Sequence, residues 1–138
     1  KYKLMNEKIK TILLWIAVLP GSLIAGMLIL FPLHWILYKT LTSFIDPYPT
    51  TPEKILGPLA SAWAMVAAAA SIAPKQKKAV AIVIAVLWTF LAGIGFALGF
   101  TEFQYGNKQY ELSIGGIPLI AGIIGAIIGA VSITREVD

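Results

Sequence analysis

His34 is the single histidine of the sequence, and Trp35, Tyr38, Phe44, Asp46 and Tyr48 follow it within a short stretch. An imidazole can serve as a general base once a partner orients it. Asp46 is the nearest sensible acid, twelve residues away across a proline-rich turn, which is a poor arrangement for catalysis. The same residues fit an interfacial belt, in which aromatic rings and a polar histidine sit at the level of lipid headgroups. His34, Trp35 and Tyr38 are therefore the candidate interfacial binding residues. Their ligand would be a lipid headgroup, a quinone-like molecule or a partner.

The remaining reactive side chains narrow the chemistry further. All seven acids (Glu7, Asp46, Glu53, Glu102, Glu111, Glu136 and Asp138) fall in tails, loops or the ends of apolar stretches. Ionisable groups that drive proton or sodium coupling sit inside the membrane, so a carboxylate-coupled transporter is disfavoured. Ser22, Ser61, Ser71 and Thr89 are the candidate buried polar residues of the apolar stretches. A hydroxyl in such a place can bond back to its own helix. Cysteine is absent, which removes disulfides, thiolate metal sites and cysteine nucleophiles. No phosphate loop, nucleophile elbow, HExxH or dinucleotide fingerprint occurs. The glycines at 93, 95 and 99 follow no strand and lie deep in an apolar run. No catalytic, cofactor-binding or metal-binding residue is assigned, and no cofactor is expected.

The elements that would position these residues are apolar blocks. Between Lys10 and Lys39 there are 28 residues without a formal charge, and the intervals Lys54–Lys75, Lys78–Glu102 and Glu111–Arg135 hold 20, 23 and 23. About 20 apolar residues cross a bilayer core as a helix. Hydrophobic residues make up 58% of the 138 and charged ones 13%, roughly half the charge of a soluble domain. Mean hydropathy is +0.81. The expected fold is an all-α integral membrane four-helix bundle with short loops, forming a single transmembrane domain over 1–138. The spans are expected at about 9–31 (with an interfacial extension to 38), 52–73, 79–100 and 113–133.

Local signals set the boundaries. Pro20 and Pro32 should bend the first span, since proline removes a backbone donor and crowds the preceding turn. Thr51 can cap the second, with Pro52 at its first helical position and Glu53 at its positive end. The linker 74–78 is short enough to make spans two and three antiparallel neighbours. Around Gly106-Asn107 the flanks mirror each other, Phe103 with Tyr110 and Tyr105 with Lys108, which predicts a small external β-hairpin.

Lysine and arginine counts set the orientation. Eight lie on one side (Lys1, Lys3, Lys8, Lys10, Lys75, Lys77, Lys78, Arg135) and three on the other (Lys39, Lys54, Lys108). Both termini are thus expected in the cytoplasm, in the plasma membrane of a prokaryote. This topology accounts for the net charge of +4. Without a basic face interleaved with aromatics, no nucleic-acid partner is expected.

Small residues carry the remaining information. Gly115, Pro118, Gly122, Gly125, Gly129 and Ser132 make one narrow seam along the fourth span, including a GxxxG step. Such seams let helix backbones approach closely, which membrane association requires. Ala81, Ala85, Trp88, Ala92, Gly95 and Gly99 line the third span, Gly57, Ser61, Ala64, Ala68 and Ser71 the second, and Ala17, Gly21 and Ala25 the first. The expected function is that of a non-enzymatic polytopic membrane protein. It would act through helix packing as an accessory, assembly or homo-oligomeric subunit, with membrane lipid, further copies or a larger membrane complex as partners. The alternatives are an oligomeric channel or facilitator, and an interfacial lipid-modifying or redox enzyme centred on His34.

Overall fold

Five helices, interrupted chiefly where proline or the short linkers demand it, make up the computed structural model, which describes residues 1–45, 47, 49, 51–104 and 112–136. The first, α1, covers Tyr2–Leu28 and α2 covers Leu30–Thr42. The interruption is a single residue, Ile29, whose backbone angles stay helical (φ −68°, ψ −23°). It falls one turn before Pro32, where the missing proline N–H leaves the Leu28 carbonyl without its helical donor. Pro20, by contrast, lies within an uninterrupted α1. The other helices are α3 (Thr51–Ile72), α4 (Lys77–Gln104) and α5 (Leu112–Glu136).

Several helices outrun their apolar blocks. The first starts at Tyr2 rather than near Ile9, and α4 continues to Gln104 rather than stopping at Phe100. Lysine, glutamate and glutamine are good helix formers, so a helix continues past the last apolar turn. This corrects part of the hairpin expectation: Phe103 stands in helix, not in the arm of a hairpin. Its centre, Gly106-Asn107, lies outside the described residues, and no strand occurs among those described. Among the described residues four helical stretches are long and apolar enough to cross a membrane: Tyr2–Thr42, Thr51–Ile72, Lys77–Gly95 and Gly116–Glu136.

The helices are arranged around α3. Both α4 and α5 pack against it and each other, while α1 packs on it separately. Among the described residues the α1 backbone comes close only to α3 and its own continuation α2. A cleft of about 180 Å³, lined by Leu19, Ser22, Leu87 and Leu91 among others, lies between α1 and α4. The core is built of small side chains: Ala62, Val66, Ala69, Ala70, Ala73, Ala81 and Ala126 are almost wholly buried. Large apolar side chains point outward instead, among them Leu13, Ile16, Phe90 and Ile127.

Glycines mark the tightest approaches. A Cβ on Gly125 would collide with the Leu59 carbonyl oxygen and come within 2.8 Å of the Leu59 Cα and C. On Gly129 it would lie 3.1 Å from the Val66 Cβ and 3.3 Å from the Trp63 carbonyl. Here α5 meets α3 backbone to backbone. On α1 the buried line is Val18, Ser22 and Gly26, displaced by one residue from Ala17, Gly21 and Ala25, of which Gly21 still meets the Ile72 side chain of α3. The step is one helical position, 100° around the axis. Ser22 tolerates burial because its hydroxyl donates to the Leu19 carbonyl at 2.8 Å.

Candidate functional site

Pro32 and Pro52 set up the site from two directions. After the interruption near Pro32, α2 carries His34, Trp35, Tyr38 and Lys39 on successive turns. Its neighbour α3 starts Thr51-Pro52-Glu53, so Glu53 falls in the first turn, where the helix dipole favours an acid. The structure brings the two together: His34 Nδ1 and Glu53 Oε1 lie 2.6 Å apart. With Glu53 ionised, the Nδ1–H donates to the carboxylate. Side-chain exposures of 51% and 35% keep this a solvent-screened pair, contributing about 0–1 kcal/mol.

Around the pair, His34 stacks on Tyr38 with ring centroids 6.1 Å apart. Lys39 Nζ lies 5.4 Å from the centre of the Trp35 ring, within cation–π range. The three interfacial residues read from the sequence thus form one collar. Glu53 completes it from nineteen residues away, a separation that no local spacing in the sequence signals. The available signal is topological, since the end of the first long apolar helix and the start of the second are joined by one short loop and lie at the same end of the bundle. Asp46, the nearer acid in the sequence, lies outside the described residues.

Two clefts meet at the pair. An inner one of about 450 Å³ runs between α2, α3, α4 and α5, past Leu33, Pro58, Ser61, Trp88 and Leu119. An outer one of about 490 Å³ is lined by Met27, Phe31 and Trp35. Leu30, His34 and Glu53 belong to both. Either volume is within the range of small-molecule sites, which are mostly apolar with a few placed polar groups. Eight residues separate Glu53 from Ser61, so the inner cleft follows α3 for about 12 Å at 1.5 Å per residue.

The hydroxyls divide by role. Ser71 and Thr89 bond back to the Ala67 and Ala85 carbonyls of their own helices. Ser61 instead donates across to the Gly26 carbonyl of α1 at 2.9 Å, tying α1 to α3 beside the inner cleft. The Trp88 indole N–H is buried and has no acceptor among the described residues. Chain comparisons add nothing to this geometry. No family model, curated protein or solved structure matches.

The other small residues singled out from the sequence lie apart from the collar. Gly95 faces the Leu119 methyls at 3.7 Å, and Gly122 faces Trp88, whose Nε1 would be 3.0 Å from an added Cβ. The surroundings of Gly99 and Gly115 lie outside the described residues. Among the described residues no three of histidine, aspartate and glutamate gather as metal ligands. The collar is equipped to hold a polar group at its rim with apolar chains beneath.

Proposed function

We propose that the chain is a four-span integral membrane protein with both termini cytoplasmic, acting without catalysis as an accessory, assembly or homo-oligomeric subunit. One observation carries this reading: the size order of the side chains is inverted. Alanine, glycine and valine make up most of the interior, with Met65 and Ile84 as larger members, while most isoleucine, leucine and phenylalanine side chains cover the outside. In water so continuous an apolar skin would drive aggregation. In lipid the outward chains cost nothing, and close backbone approach supplies the attraction between helices.

The glycine seam of α5 fits the same reading. Gly125 and Gly129 spend their close approach on α3 of the same chain, which supports a rigid protomer whose other faces meet lipid or partners. Membrane association that resists alkaline carbonate is the first expected result. Native mass spectrometry from mild detergent should then give a uniform homo-oligomer or a stoichiometric partner chain. A monomer that conducts ions or solutes in liposomes would replace the subunit reading with that of a channel or facilitator.

A further inference from the structure

We infer that the collar of His34, Glu53 and Lys39 is a binding site for a two-chain phospholipid with a primary amine in its headgroup. The inference uses the membrane setting proposed above and is independent of the subunit role.

The first reason is the forked shape. Two apolar clefts of similar volume, about 450 and 490 Å³, converge on the same three residues, Leu30, His34 and Glu53. A ligand with one polar head and two apolar chains matches that geometry, with one chain between the helices and the other along the outer groove past Phe31. A single-chain amphiphile would leave one cleft to other occupants. The second reason is charge. Among the described residues, Glu53 is the only carboxylate lining either cleft. A carboxylate has about four lone-pair sites, so it can accept an ammonium N–H as well as the imidazole N–H. Charge-assisted bonds of this kind are roughly twice as strong as neutral ones. Trp35 lines the outer cleft, and Lys39, 5.4 Å from the centre of its ring, supplies the opposite charge for the phosphate. The third reason is depth. Glu53 and His34 are part-exposed at the mouth, whereas Ser61 and Trp88 lie further in, so the head stays at the interface while the chains enter the apolar region.

A trimethylated head of the same length cannot donate a hydrogen bond to Glu53, which supplies the test. The purified chain in detergent is titrated with phosphatidylethanolamine, phosphatidylcholine and phosphatidylglycerol of identical chains, and bound lipid is counted by native mass spectrometry. The amine lipid should bind at least fivefold more tightly than the choline lipid. Glu53→Gln should erase that preference while lipid of either head still binds. Gly57→Leu should lower binding of both, because a side chain there enters the inner cleft beside Leu30, whose Cδ2 would lie 3.6 Å from the new Cβ. A photoreactive amine lipid with the label at its chain ends covers the case in which Gly57→Leu does not fold. Its adducts should concentrate on Leu33, Leu119 and Phe31 and fall with unlabelled competitor. Equal affinity for amine and choline lipids overturns the head assignment. Adducts spread evenly over the outward faces, unaffected by competitor, overturn the site. Carbonate extraction of the chain from membranes would instead overturn the membrane setting, so the two failures are told apart.

Discussion

Replacing Gly125 by alanine should be the most damaging single-methyl change among the glycines of α4 and α5 whose surroundings are described. The new Cβ would overlap the Leu59 carbonyl oxygen, and its 2.8 Å approach to the Leu59 Cα and C must open to at least 3.4 Å. Backbone cannot swing aside as a side-chain tip can, so α5 must retreat from α3 by on the order of 1 Å to clear the carbonyl oxygen. A gap of about that size forfeits a quarter to a half of each dispersion contact along the seam. Overpacked cores lose about 1–3 kcal/mol, and the upper half of that range is expected here. Gly129→Ala should cost less, about 1 kcal/mol, because its contacts at 3.1 and 3.3 Å need only a few tenths of an ångström. Gly95→Ala meets methyls at an ordinary 3.7 Å and Gly93→Ala meets nothing within 4 Å. Both should be neutral or gain up to about 1 kcal/mol from helix propensity. Ile124→Leu, on an outward position, is the volume-matched control, and Gly125→Leu should exceed every alanine variant. The assay is reversible unfolding in mixed micelles, read by tryptophan fluorescence. Dilution-independent losses place the contact within the protomer, and losses accompanied by a shift in oligomer size place it between protomers. If Gly125→Ala matches Gly93→Ala in stability and oligomer size, the close approach of α5 and α3 is not what holds the bundle together.

Ser61→Ala removes the α3-to-α1 hydrogen bond to Gly26 and should cost about 0.6 kcal/mol, the average for such bonds in membrane proteins; the same unfolding assay checks it. Gln76 has a φ of +54° in the α3–α4 linker, a conformation costing about 1–2 kcal/mol outside glycine. Gln76→Gly should therefore stabilise by about 0.5–1 kcal/mol once the added chain entropy of glycine is offset; a lower melting temperature would contradict the strain argument. A cysteine placed at Asn107 should react with an impermeant thiol reagent from outside intact cells, as the eight-to-three distribution of basic residues requires. Labelling only after lysis would reverse the orientation.

Composition and charge spacing alone settled that this chain forms long apolar helices. Intervals of 20 or more uncharged residues admit little else, and Pro52, Pro74 and the lysines at 75, 77 and 78 punctuate them. The same information located Gly125 as a point of close approach in principle, because glycine at a four-residue spacing leaves one helix face bare. It did not say which helix would lie there. Small-residue lines occur on every span, and lines of similar composition are interchangeable until packing selects among them. Tertiary structure chose α3 as the centre, seated Gly125 on Leu59, and rotated α1 so that Ser22 and Gly26, not Ala17 and Ala25, face inward. It also joined His34 to Glu53. The two stand nineteen residues apart, beyond any local periodicity. Thr51, Pro52 and Glu53 set locally where α3 begins, but the direction in which α2 continues past Ile29 to meet it is fixed by packing between helices.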